Sequence, residues 1–552
     1  MKRIKFLLAL VFLLFFAKVF PQNNKFMIAW YDRAGIGYNT NTLTQRYKDM
    51  QALNFNCAIM DFVLLRPDGT EIINPQNFQW VSLNPSKSFL DSAYKYGIKI
   101  LLTTPENSSL KGYNSYDKVK SQEGLAYWGN HPALWGFHIL DEPYNWVELS
   151  YPTPYANDIR AFNPNLLRWV CMPYMCCDTM SFDNYGQFIQ DYIDADKPNI
   201  LAFDEYPIMD EHIPPKSDWY NDLFYHLDIM SRKSVENNIP FVYVLSSLQG
   251  IYLNGKRTST KILSEYVTSY FMYAGLCYGA KGLAHFDGWR YPSTFTTEHK
   301  ERIKNINKTI IDNEDVLLSL QFRSAYHKST ASTLRNTGLG DSIPSHSKWQ
   351  YFSSDIYANE IFNVNNPFIA QSGSSIDSLA ILFLTDNSGS RYFWVFNKSL
   401  SSSEDIQLGL KAGNNIVDVL ENIPCLTHDA VIHLEPAEAK LFKIINTPNT
   451  YTVTENTTWS TNQNIANNIA VPSGVTLTIT DTAYLSSHTI TIRCGGQLIL
   501  SGGVIDEGKI IVQDGGEFTI SNNGKLLLGS YDNLSVQLGA KFNLEHGKVL
   551  LK

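Results

Sequence analysis

Between about residues 25 and 320, short β-rich runs alternate with longer amphipathic segments, and this alternation restricts the fold more than any other feature of the chain. The strand candidates are Phe26–Tyr31, Cys57–Val63, Ile98–Thr103, Leu134–Leu140, Arg168–Pro173, Ile200–Phe203, Phe241–Leu245 and Gly282–Phe286. Their near-continuous apolar character fits strands buried on both faces, as in a parallel sheet covered by helices. Helical patterns lie between them at Thr44–Leu53, Ser86–Tyr96, Tyr220–Glu236, Lys261–Tyr278 and Thr297–Leu318. Eight β-then-α units spaced by roughly 30–45 residues predict a (β/α)8 TIM barrel over 23–322. A doubly wound open sheet fits less well, because no Gly-rich phosphate turn follows the first strand.

The chain has 552 residues, too many for one core, and a length of this order calls for about three or four domains. Past the barrel, shorter alternating strands separated by Ser, Asn and Asp run through 323–446, including Leu379–Leu384, Tyr392–Asn397, Ile416–Val419 and Ala439–Ile444. This segment is expected to be a β-sandwich packed in support of the barrel. Over 447–552 Gly-led strands recur, beginning at Gly474, Gly496, Gly516, Gly524 and Gly539. Such spacing predicts a β-solenoid-like all-β region, read as a spacer or surface attachment.

Residues 1–22 read as a signal peptide. Lys2, Arg3 and Lys5 precede the apolar stretch Phe6–Phe16, which is too short for a bilayer core that needs roughly 20 residues. The expected location is therefore secreted or at the cell surface. A net charge of -8 gives no electrostatic basis for binding nucleic acid or an anionic membrane. Cys57, Cys171, Cys176, Cys177, Cys277, Cys425 and Cys494 form neither a disulfide framework nor a zinc spacing, and Cys57 and Cys277 read as buried thiols. Neither metal nor cofactor is expected.

In such a barrel the active site lies at the C-terminal ends of the strands. Those ends carry Asp32, Asp61, Glu106, Asp141–Glu142, Asp204–Glu205 and Asp287. Crowded carboxylates suit glycosidic cleavage, in which one acid protonates the leaving oxygen and a second carboxylate attacks or activates water. Glu142 follows an apolar strand and adjoins Asp141. Burial and a like charge would both keep its proton on near neutral pH. Glu205 is the preferred second carboxylate, with Asp204 and then Asp287 as alternatives; alternation does not separate Glu205, on the face of Leu201 and Phe203, from Asp204, on that of Ala202.

Trp30, Tyr31, Trp146, Tyr174, Tyr206 and Trp289 lie at or just beyond strand ends and are candidate sugar platforms. Trp135 reads as core. His138 falls on the face of Leu140 and Glu142 if the strand is regular, as a hydrogen-bonded interior residue or a pocket floor. Gln249, beyond strand seven, and Asp32, Asp61 and Asp287 complete the candidate substrate-binding set.

The stretch from His131 to Pro143, ending His-Ile-Leu-Asp-Glu-Pro, resembles the fourth-strand motif of the large retaining clan of (β/α)8 glycoside hydrolases that includes families 2, 5 and 42. The resemblance implies acid/base duty for Glu142, with Asp141 in place of the usual Asn, and a secreted enzyme acting on a poly- or oligosaccharide. It also implies a nucleophilic Glu ending strand seven, where this chain has Ser246-Ser247-Leu248-Gln249. The Asp-Glu pair is similar, too, to that of substrate-assisted N-acetylhexosaminidases, in which the Asp orients the substrate's acetamido group. A non-catalytic carbohydrate-binding or surface protein on a barrel scaffold is the competing class.

Overall fold

A computed structural model describes residues 25–551 apart from 33–39, 61–87, 104–117, 174–181, 206–222, 287–293, 329–343 and several shorter stretches. Within it, eight parallel strands close into a barrel. In chain order they are β1 (Met27–Asp32), β2 (Cys57–Met60), β3 (Lys99–Thr103), β4 (Leu134–Asp141), β5 (Leu167–Met172), β6 (Leu201–Asp204), β7 (Phe241–Leu245) and, after a hairpin formed by β8 (Leu248–Leu253) and β9 (Lys256–Ile262), β10 (Gly282–His285). The chain is a (β/α)8 barrel. Its strands lie within a residue or two of the expected runs, except that β2 is described only to Met60.

Two apolar clusters divide the barrel by strand face. One fills the lumen with Met27, Ala29 and Tyr31 of β1, Cys57 and Ile59 of β2, Trp169 and Cys171 of β5, Ala202 of β6, and Val242 and Val244 of β7. The other gathers the alternate residues, such as Ile28, Trp30, Val170, Phe203 and Tyr243, against the surrounding helices. Period-two alternation thus sorts the side chains.

β4 breaks that alternation. Its pairing with β5 shifts register between His138 and Leu140, and Ile139 and Leu140 both join the outer cluster. Two consecutive outward residues mark a β-bulge, which rephases everything after it. His138 therefore shares its face with Asp141 and not, as a regular strand would have it, with Leu140.

Two other expectations change. The start of the predicted helix Lys261–Tyr278 belongs to the β8–β9 hairpin, and the helix itself is Glu265–Cys277, capped by Ser264. The helix expected over Thr297–Leu318 is two, Thr297–Asp312 and Glu314–Ser319, separated at Asn313.

After the barrel, an antiparallel six-stranded sheet (strands from Gln321–His327 to Ala439–Asn446) faces a three-stranded one (Phe368–Ala370, Glu404–Leu408 and Val431–Leu434). Residues of both sheets, including Phe383, Phe393, Ile406 and Leu434, share a core. This is the expected β-sandwich. The other face of the larger sheet (Leu382, Leu384, Trp394, Phe396 and Leu441) joins the outer barrel cluster.

From Thr450 onward, three parallel sheets of five strands each run side by side. Each strand pairs with the third strand after it: Ile469 lies beside Ile490 and that beside Ile510, while Leu477, Leu498, Phe518 and Phe542 form a second ladder. The expected solenoid is thus three-sided, and it has a core of its own.

Candidate active site

The C-terminal ends of β4, β5 and β6 bring the site carboxylates together. These strands are neighbours in the barrel, and Asp141 is level with Cys171, which is in turn level with Ala202. Asp204 lies two residues beyond Ala202 on the same lumen-facing side of β6. The Cys171 thiol registers the convergence: burial, and then the charges of Asp204, Asp141 and Glu142, push it well up, with the Tyr31 hydroxyl acting in the opposite sense. The register thus brings carboxylates at the ends of β4 and β6 to the two sides of one β5 lumen residue.

Glu142 leaves the strand with a φ of 47°, in the left-handed region that a side chain rarely adopts without constraint. Its amide N–H donates to the Cys171 carbonyl at 2.9 Å, which ties the turn to β5. Asp141 and Glu142 are both partly exposed at the rim, and Pro143 is buried behind them.

His138 lies below this rim, completely buried. Its ring meets Tyr31 edge-on at 5.8 Å and Trp169 at 6.4 Å, and its Nε2 is 3.6 Å from Asp141 Oδ1. Tyr31 also packs against Phe286 at 5.7 Å, so it forms the lumen floor and is no exposed platform.

Two candidates are turned away from the lumen. Glu205 follows the outward parity of Leu201 and Phe203. Its Oε2 lies 2.9 Å from Nδ1 of His226, on the helix Leu223–Asn237, and the Tyr243 hydroxyl donates to its carbonyl. The packing therefore corrects the preference between the two β6 carboxylates, because Glu205 reaches the helix layer and Asp204 the lumen. Trp30 is the second correction. It is wholly buried in the outer cluster with its ring edge-on to Phe55 at 5.7 Å, so no sugar can stack on it.

Trp146 remains exposed beyond β4; its Nε1 donates to Asp191 at 2.7 Å and its ring stands on Phe188. Trp135 is lumen core, as expected. Asp61, Glu106, Tyr174, Tyr206, Asp287 and Trp289 lie outside the described residues, as do the side chains of Asp32 and Gln249. Gln249 belongs to β8 and so begins the hairpin that extends from β7. Sequence reasoning did not single out Trp169 and Cys171 as lumen residues, although the alternation Leu167, Trp169, Cys171 against Arg168 carried the signal. Among the described residues, no group of three His, Cys, Asp or Glu side chains is arranged to hold a metal ion.

No family model matches the chain, and no curated protein matches it. Solved structures do. An endo-β-1,4-mannanase from Thermotoga petrophila is 9% identical, with 69% of this chain and 96% of that one covered and a TM-score of 0.38. A GH42 β-galactosidase from G. stearothermophilus is 10% identical, covering 77% and 99%, with a TM-score of 0.45. A family 5 glycoside hydrolase from Bacteroides vulgatus is 11% identical, covering 76% and 90%, with a TM-score of 0.43. At such identities and scores, the chemistry of this chain has to be sought in its own residues.

Proposed function

We propose that the chain is an exported glycoside hydrolase that cleaves a poly- or oligosaccharide, with Glu142 as the proton donor and Asp204 as the second carboxylate. The observation that carries this reading is the register that sets Asp141, with Glu142 next to it, level with Cys171 and Asp204 two residues beyond Ala202 at the C-terminal mouth of the barrel. Glu142 protonates the departing glycosidic oxygen, and Asp204 either attacks the anomeric carbon or activates water. Sugar binding draws on Trp146 and on Asp32, Asp61, Tyr174, Tyr206, Gln249, Asp287 and Trp289. Residues 1–22 direct export, and the solenoid serves as a spacer or attachment to a surface or polysaccharide.

A second reading, substrate-assisted cleavage of an N-acetylhexosaminide, is favoured by one specific observation: the bulge turns Asp141 toward the lumen beside Glu142. In that case Asp141 orients the acetamido group, which attacks in place of a protein carboxylate. Two substitutions separate the readings. Screening against a broad glycan panel with product detection should show Asp204→Asn inactive if Asp204 is the second carboxylate. Activity retained by Asp204→Asn but lost by Asp141→Asn would transfer the role to the substrate. Binding without any new reducing ends, even by the unmodified chain, would refute both and leave a carbohydrate-binding protein.

A further inference from the structure

We infer that His138 is a positioning residue for Asp141, its Nε2–H donating to Oδ1 and holding that carboxylate oriented in the barrel mouth. The inference rests on the reading of Asp141 and Glu142 as site carboxylates.

Three independent observations support it. First, residues three apart in a regular strand point to opposite faces; the bulge alone brings His138 and Asp141 onto one face, with Ile139 and Leu140 both packed outward. Second, the imidazole is completely buried between Tyr31 and Trp169, and neither ring nitrogen has a hydrogen-bond partner among the described residues. Such a group costs stability wherever it is kept, which favours a use outside folding. Third, Nε2 stands 3.6 Å from Asp141 Oδ1, about 0.5 Å beyond a hydrogen bond. Catalytic contacts are often this long until substrate closes them.

The groups facing His138 come from three strands: Tyr31 from β1, Trp169 from β5 and Asp141 from β4 itself. On the β3 side its neighbour is Thr103, whose hydroxyl is taken up by the Met60 carbonyl. An Nε2–H here donates to the Asp141 carboxylate, and losing it frees that side chain from the orientation it holds in the barrel mouth.

The test uses the full chain with His138→Phe, which fills the space without a donor, and His138→Gln, whose amide nitrogen falls near the Nε2 position. The Phe variant is expected to melt no lower than the parent and to lose kcat on the order of 10- to 100-fold while KM stays close to the parent's. The Gln variant is expected to recover most of the loss. Wild-type kcat in the Phe variant, or a loss carried by KM alone, would overturn the inference. Should the Phe variant not fold, the Gln variant and the following measurement decide. The imidazole 15N shifts of His138, compared between the parent chain and Asp141→Asn without any sugar, are expected to differ at Nε2; identical shifts would overturn the inference. This arm needs no turnover, so a chain that cleaves no glycan would refute the hydrolase reading and still leave His138 decided.

Discussion

Asp204 and Glu205 are adjacent in sequence and chemically alike, yet they belong to different layers of the protein. Asp204 follows Ala202 into the lumen, whereas Glu205 follows Phe203 into the helix layer and meets His226. Their substitutions should therefore separate stability from activity. Asp204→Asn is expected to leave the melting temperature within a few degrees of the parent and abolish hydrolysis. Glu205→Ala removes the carboxylate that meets the buried Nδ1 of His226 and is expected to cost on the order of 2–4 kcal/mol in a urea titration. Its kcat/KM, corrected for the folded fraction, should stay within about tenfold of the parent. Alternation identified the two faces of β6 but not which of them was the lumen. That assignment is a tertiary fact, set by closure of the barrel and by His226, which lies 21 residues further along the chain.

At the scale of elements, the barrel strands were legible because parallel strands buried on both faces read as compact apolar runs. The solenoid was legible because its Gly-led strands recur. The β4 bulge was not, since His138-Ile139-Leu140 looks like any apolar strand, and the extra residue shows only in the pairing with β5. The β8–β9 hairpin had a signal that went unused, the Asn254-Gly255 pair between β-rich runs. Gly136 shows how tightly β4 sits on β5. A Cβ there would lie 2.2 Å from the Leu167 carbonyl oxygen, a contact only backbone movement can relieve. Gly136→Ala is thus expected to cost on the order of 1–3 kcal/mol and to lower activity as well, because it displaces the strand that carries His138, Asp141 and Glu142. Unchanged thermal melting would show that β4 and β5 are less constrained than their spacing implies.

For the whole molecule, two consequences follow from where the apolar surface goes. The sandwich shares the outer barrel cluster through Leu382, Trp394, Phe396 and Leu441, whereas the solenoid keeps a separate core. Truncation after residue 446 is expected to leave the barrel's melting transition in place. Truncation after residue 320 should expose Tyr270 and its neighbours, which pack against Phe396, and aggregate in sedimentation. The second consequence concerns pH. Burial, with His299 adding to it, holds His285 down to about 3, and burial with Arg302 holds His299 down to about 4. Both are neutral in the fold and become charged in the unfolded chain below about 6.5. Their contribution is therefore complete above that pH and is lost as pH falls toward 4, by at most about 1.4 kcal/mol per unit for each. Asp196, raised to about 6 mainly by burial, acts the other way, as its contribution is lost when pH rises through 6. His327, which burial also holds well down, acts with the two histidines, and together they outweigh Asp196, so the melting temperature should fall between pH 6.5 and 4.5. In His299→Gln, which can still bond Thr268, that fall should be shallower.

The central claim is that Glu142, on its constrained turn at the end of β4, is the acid that cleaves a glycosidic bond. The most direct test follows new reducing ends released from a substrate on which the unmodified chain is active, with glycan binding measured in parallel. Glu142→Gln is expected to bind that glycan about as well as the parent and to release almost nothing. Turnover by Glu142→Gln at the parent's rate would contradict the claim.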